Sequence, residues 1–251
     1  MDSPLKIYGV PMSQAVRSVV WLLLYKRVAF EFILTVPGST DENGSRHPEY
    51  LAKFPPGTIP GLEDPKTGFV LYESHAIMCY LSNRFGWDDL YPKDYEARGR
   101  IDAFLNFHHR NLKEASIGYF APKVRADLNL PELYISICQN IYDRALQMLE
   151  SHWLAENRFM TGDQLTIADF TAYVEIGQLQ DIFTNLYDYS GLPNVCRWLE
   201  QMKEVDQHDD VHLVLSELGD ISEGAPTIEA LMDANMKGFS VIGQNLASMN
   251  G

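Results

Sequence analysis

The sequence predicts an α/β unit at its N-terminal end followed by a unit built only of helices. Four short apolar runs, at residues 5–8, 30–36, 59–64 and Phe69–Tyr72, have strand character, and stretches of helical spacing lie between them. The last two runs flank a Lys-Thr-Gly turn, which marks a β-hairpin. Beyond residues 86–93, GWDDLYPK, which are rich in turn formers, every periodic stretch is helical. The expected organisation is residues 1–85, a linker at 86–93, and residues 94–251.

Taken in order, residues 5–8 form the first strand, and Gly9, Pro11 and Ser13 interrupt the pattern. From Gln14, residues Val16, Val19, Val20 and Leu23 recur at helical spacing, with Lys26 and Arg27 near the negative end of that helix. Residues 30–36 supply the next strand, and strand–helix–strand with a short crossover implies a parallel pair. Residues 37–43 form a polar loop and 47–54 a short helix or turn. Pro60 cannot donate to a ladder, which places it at an edge, a bulge or a cis turn. Glu73 and Ser74 open a run with Ile77, Tyr80, Leu81 and Phe85 at helical spacing. Ser74 thus lies where unpaired helix N–H groups favour an anion. The order βαβ then αββα is that of a thioredoxin-like fold.

In the helical half, residues 94–120 carry Ile101, Phe104, Leu105, Leu112 and Tyr119, and residues 132–154 carry Ile137, Ile141, Leu146 and Leu149. Thr166 and Asp169 have the spacing of a capping box, with Leu165 and Phe170 able to close a hydrophobic staple across it. A further helix starts at Pro193. Near the C-terminal end, Ile228, Leu231, Met232, Asn235, Met236 and Phe239 recur at helical spacing. Such a Met-rich stripe serves either as core or as a lid over a binding site.

Composition narrows the function classes. The 251 residues are 46% hydrophobic, as in a globular chain with a substantial core. With 34 acidic and 20 basic residues the net charge is −14, which argues against nucleic acid or an anionic membrane as partner. No apolar run approaches the ~20 residues of a membrane span, and the first residues lack a signal peptide's basic segment and apolar core. Cys79, Cys138 and Cys196 are far apart without a CxxC, and His108-His109 has no further ligand at metal spacing. A cytoplasmic protein without a metal is expected.

The segment Ile59-Pro60-x-Leu62, the glycine turn and Glu73-Ser74-x-Ala76-Ile77-x-x-Tyr80-Leu81 resemble the glutathione-binding half of glutathione transferases. Ser13-Gln14-x-x-Arg17 resembles the serine-type theta class, and the likeness runs over residues 5–205, weakening after the linker. This resemblance implies a thioredoxin-like domain followed by an all-α domain, glutathione as co-substrate, a hydrophobic electrophile and a homodimer. The implied reaction is attack of glutathione thiolate on an electrophilic carbon or on a peroxide. It also implies that Pro60 is cis, that the Ile59 backbone pairs with the cysteinyl part of glutathione, and that Glu73 and Ser74 bind its γ-glutamyl end. Ser13 would hydrogen-bond the sulfur, Gln14 and Arg17 would shape its surroundings, and Arg46 or His47 would meet the glycyl carboxylate. Phe104, Phe107, His108, Asn111, Met232 and Met236 would border the electrophile, while Thr166 and Asp169 belong to a structural motif.

A hydroxyl at position 13 makes chemical sense. A free thiol has a pKa near ~8.5, and an O–H donor beside the positive end of a helix favours the thiolate. Ser13 could instead act only as a helix cap, and Tyr8 stands close to where tyrosine-type relatives carry their thiol-activating phenol. The chain departs from the theta pattern at Thr58, where a lysine is common, and at Lys113, where an arginine is expected. Phe54 either plugs a partner subunit, as in other classes, or packs in the core. The same fold also serves non-catalytic binding or scaffold proteins and glutathione-dependent dehalogenases and isomerases; the serine-rich turn of the isomerases is missing.

Overall fold

Strand β1 (Leu5–Gly9) alternates buried and half-buried residues, the period-two pattern of a sheet covered more fully on one face. Helix α1 (Gln14–Tyr25) follows. Its residues from Val16 through Leu24 are all buried, because the helix is clasped between the sheet and the helical half. Strand β2 (Phe30–Leu34) pairs with β1 in parallel, Leu5 opposite Phe30 and Gly9 opposite Leu34. It ends two residues earlier than the sequence pattern suggests. The Val36 amide donates to Asn43 at 2.7 Å, so the chain has already turned into its loop. The computed structural model describes residues 4–249.

Helix α2 (Pro48–Lys53) leads to Phe54, whose fully buried ring packs on Tyr8 and Tyr50 and covers Gly61. A β-carbon at Gly61 would lie 2.8 Å from that ring, so only glycine fits there. Phe54 is therefore a core residue of its own subunit. Strands β3 (Gly61–Asp64) and β4 (Phe69–Tyr72) form the expected hairpin, and both β1–β3 and β3–β4 are antiparallel. The sheet order is β2-β1-β3-β4. Helix α3 (Ser74–Phe85) closes the thioredoxin-like half at Gly86, in the left-handed conformation that glycine adopts readily at a helix end.

The helical half begins with α4 (Tyr95–Arg110), capped by the Asp94 carboxylate, which accepts from the Ala97 amide at 2.8 Å. The single helix expected over residues 94–120 is broken at Asn111. A π-helical turn, Ser116–Phe120, and the short α5 (Ala121–Val124) follow. Helix α6 (Glu132–Met148) also ends in a π-helical turn, Leu149–Trp153. Helix α7 (Ile167–Ile176), buried along its entire length, is the hub of this half and packs on α1, α3, α4 and α8 (Pro193–Lys203). Helix α9 (His208–Leu218) lies against α1 and carries α10 (Ile228–Met249) on its other side.

The capping box at the start of α7 is complete. Asp169 is fully buried and its carboxylate accepts from the amides of Thr166 (2.9 Å) and Met160 (2.8 Å) and from Trp198 Nε1 (3.0 Å). One side chain thus ties α7 to the preceding turn and to α8. No helix among the described residues is long and apolar enough to cross a membrane.

Candidate active site

The loop between β1 and α1 is held from two sides. The fully buried guanidinium of Arg17 donates from Nη1 to the carbonyls of Pro11 (3.1 Å) and Met12 (2.7 Å). From Nη2 it donates to the Val174 carbonyl and to Gln178, both at 3.2 Å, so it locks this loop onto the end of α7. Burial pushes the Arg17 pKa down to about 10, which leaves the group charged at neutral pH. Ser13 is the N-cap of α1, and its Oγ accepts from the Val16 amide at 3.5 Å, a long contact.

Ser13 and Gln14 face a cleft of about 1310 Å³, its open mouth included. The walls are almost wholly apolar. Val10, Leu34 and Ile59 come from the sheet half, Ile117, Phe120 and Val124 from the broken helix, and Met232 and Met236 from α10. Arg125 stands in this wall with its guanidinium engaged by the Asp127 carboxylate at 2.8 Å. The peptide bond between Ile59 and Pro60 is cis. Among the described residues, neither the amide nor the carbonyl of Ile59 has a hydrogen-bond partner, so both are free beside the cleft.

A second, much smaller opening lies along α1, where Ala15 and Ser18 line it instead of Ser13 and Gln14; its cavity of about 20 Å³ has room for about one water molecule. Ser116 stands between the two, since it lines the cleft and donates to the Glu175 carboxylate of the smaller opening at 2.8 Å. Polar and charged residues, Glu73, Ser74, His75, His108 and Lys113, stand in its wall. Glu73 is the exposed N-cap of α3 at a φ of 68°, a conformation that costs a non-glycine residue on the order of 1–3 kcal/mol. Its side chain makes no capping bond, so its carboxylate is presented outward beside the unpaired amides of the helix start. Burial pushes Glu175 up to about 7 and His75 down to about 4.

The structure therefore brings together Ser13, Gln14, Ile59, Met232 and Met236 around the apolar cleft, and Glu73 and Ser74 at the smaller opening. Four residues expected at the electrophile site are not brought to the cleft, and this is a correction. Phe104 is fully buried against Trp153 at 5.1 Å, Phe107 leans on the same ring, and Asn111 caps the end of α4. His108 is buried in the wall of the smaller opening. The apolar face of α4 is spent on α7, which periodicity alone could not reveal. Arg46 and His47 line neither opening: His47 caps α2, accepting from the Glu49 amide at 3.4 Å, and exposed Arg46 lies over Gly57.

Tyr8 is committed elsewhere. Its hydroxyl donates to Glu63 at 2.5 Å and accepts from Lys53 at 3.3 Å, and it lines neither opening. Sequence reasoning missed the wall from Ser116 to Leu128. Gly118 and Pro122 in the middle of an apparent helix were the available signal for a break.

Two family models and several named relatives match this chain. The glutathione S-transferase N-terminal domain family matches residues 7–89, and the C-terminal domain family matches residues 119–206. Glutathione S-transferase T1 of Arabidopsis thaliana is 32% identical over 222 residues, covering 84% of this chain and 89% of that protein. The chain spans only 37% of two longer relatives from the same plant, T2 and T3. Glutathione S-transferase theta-1 of Bos taurus is 25% identical, covering 91% of this chain and 95% of its own. The solved structure of Bombyx mori glutathione transferase BmGSTD1 matches with a TM-score of 0.73 at 28% identity, covering 94% of this chain and 97% of that one. The chain belongs to the glutathione S-transferase family, with theta-class proteins among its relatives.

Proposed function

We propose that this chain conjugates glutathione to apolar electrophiles, with Ser13 stabilising the thiolate. The sulfur sits at Ser13, forms a bond to the electrophilic carbon, and the leaving group departs with its electron pair. The thiol proton goes to solvent. The single observation that carries this reading is the placing of Ser13, the N-cap of α1, in a cleft whose walls are almost wholly apolar. That cleft suits an electrophile, and the exposed Glu73 carboxylate beside the unpaired amides at the start of α3 suits the zwitterionic end of glutathione. Glu73 and the amides at the start of α3 hold the γ-glutamyl end, and the unpaired backbone of Ile59 pairs with the cysteinyl residue. Gln14 borders the sulfur, Arg17 fixes the loop, and Arg46 or His47 reaches the glycyl carboxylate once glutathione is bound.

The reading extends to a division of labour between residues 1–85 and 94–251, a cytoplasmic setting and a homodimer through α3 and α4. Tyr95, 81% exposed on the first turn of α4, and exposed Phe69, Tyr72 and Phe85 near α3 support that surface. The experiment is a rate panel with glutathione against halides, epoxides and peroxides. Turnover of apolar halides or epoxides that requires glutathione supports conjugation; glutathione binding without turnover of any of them contradicts it.

A further inference from the structure

The loop that carries Ser13 is gripped by a residue 223 positions away. The Met12 amide donates to Asn235 Oδ1 at 3.0 Å, and Asn235 Nδ2 donates to the Leu231 carbonyl at 2.8 Å within its own helix. The second bond fixes which end of the side-chain amide faces the loop. One turn further along α10, buried Gly238 meets the same loop: a β-carbon there would stand 3.1 Å from Pro11 Cβ and 3.0 Å from Val214 Cβ. The absence of a side chain lets α10 come close enough for Asn235 to reach Met12. Phe239 on the same helix stacks on Phe32 of β2 at 4.8 Å, which holds α10 to the sheet half at a second point.

We infer that Asn235 is a positioning residue for the reaction, setting where the Ser13 hydroxyl stands relative to the sulfur. This rests on the reading of Ser13 proposed above. All polar backbone groups from Pro11 to Ser13 that could otherwise relax are engaged. The carbonyls of Pro11 and Met12 bind Arg17, the Ser13 amide binds the Val10 carbonyl at 3.1 Å, and the Met12 amide binds Asn235. Only the last of these bonds comes from the C-terminal helix. Asn235 also lines the cleft between Met232 and Met236, so one helix turn shapes the electrophile wall and tunes the thiol. A neutral amide suits both tasks, because it supplies an acceptor to Met12 without placing a negative charge beside a thiolate.

The test uses the full chain with glutathione as probe. Thiol ionisation is followed by thiolate absorbance against pH in the wild type, Asn235→Ala, Gly238→Ala and Ser13→Ala, beside hydrogen exchange at the Met12 amide. Asn235→Ala should raise the pKa of the bound thiol by about half to one unit. It should lower kcat about 3–10-fold at pH values below that pKa, with the KM for glutathione nearly unchanged. Met12 should exchange at least about tenfold faster. Gly238→Ala, which pushes α10 away from Pro11 while keeping Asn235, should shift the thiol in the same direction and decides the matter if Asn235→Ala does not fold. A shift in Ser13→Ala with none in folded Asn235→Ala or Gly238→Ala overturns the inference and leaves the Ser13 reading standing. No shift in Ser13→Ala overturns the Ser13 reading, and the inference with it.

Discussion

Tyr8 donates its hydroxyl hydrogen bond to Glu63: the phenolic oxygen lies 2.5 Å from the Glu63 carboxylate, with Lys53 Nζ 2.8 Å from the same carboxylate oxygen. Burial first, then this bond to Glu63, raises the phenol's pKa above its ordinary value. A phenol held this way is a poor donor to a sulfur, and the triad it forms stands outside the cleft. Tyr8→Phe should therefore leave thiol ionisation unchanged. It should cost no more than ~1–2 kcal/mol of stability, since the pair is partly open to water. Denaturant unfolding of the variant measures that cost, and a loss of several kcal/mol would give the triad a larger structural part than this.

Asp169→Ala should destabilise the fold strongly while leaving the folded fraction able to bind glutathione. The substitution strands two buried amides and an indole N–H, each costing on the order of 1–3 kcal/mol. At roughly 2–4 °C per kcal/mol for a chain of this size, the melting temperature should drop by about 6 °C or more. Thermal melting and calorimetric titration with glutathione check both halves. An unchanged melting temperature, or a folded variant blind to glutathione, contradicts this account of the cap.

What was legible in the sequence is what local chemistry encodes. Ser13, Pro60, Glu73 and the Thr166–Asp169 box announce themselves because caps and turns depend on neighbours within a few residues. The parallel β1–β2 pair and the β3–β4 hairpin follow from the same short-range logic, whereas the β1–β3 pairing that joins them does not. The bond from Asn235 to Met12 was not legible, because nothing within either segment depends on the other until α10 docks. The face of α4 was misassigned for a related reason: helical spacing shows that Phe104 and His108 point inward, not which neighbour they meet. The break at Asn111 was missed because Leu112 and Tyr119 keep approximate register across it.

Stability should depend on pH through Glu175. Its pKa in the folded chain, pushed up to about 7 by burial, lies above the ordinary carboxylate value. The protonated form is thus favoured by folding: stability from this group is fully present below the unfolded pKa and is lost as pH rises through about 7. Glu175→Gln, neutral throughout, should be more stable than the wild type at alkaline pH by up to about 2–3 kcal/mol. That advantage should fade as pH falls toward the ordinary carboxylate range. Denaturant melts of both proteins across this window provide the measurement; an advantage that grows in acid would reverse the sign and refute the argument.

Met232→Ala and Met236→Ala should change electrophile preference more than glutathione affinity. Both side chains stand in the apolar cleft and neither lines the smaller opening. Each truncation should shift relative kcat/KM between bulky and small apolar electrophiles by roughly 3–10-fold, less than the ~10–200-fold of one methylene in an enclosed pocket because both side chains are more than half exposed. Identical relative rates across the panel would make α10 packing and not a wall of the site.

In solution the chain should have twice its monomer mass of 28.5 kDa. Light scattering at micromolar concentration reads this directly. Tyr95→Glu, which places a charge on the most exposed aromatic of α4, should shift the population toward monomer. A wild-type monomer removes the dimer from the proposal.

The most direct measurement is the thiolate absorbance of bound glutathione against pH in Ser13→Ala and Tyr8→Phe. Loss of one hydrogen bond to a charged group costs about 1.5–3 kcal/mol, or roughly a ten- to hundredfold loss of rate where thiolate limits turnover. Ser13→Ala should move the titration up by about 1–2 units and regain part of its rate at alkaline pH, where the thiol ionises unaided. Tyr8→Phe should titrate with the wild type. A titration that shifts in Tyr8→Phe and stays in place in Ser13→Ala would contradict the assignment and make the enzyme tyrosine-type.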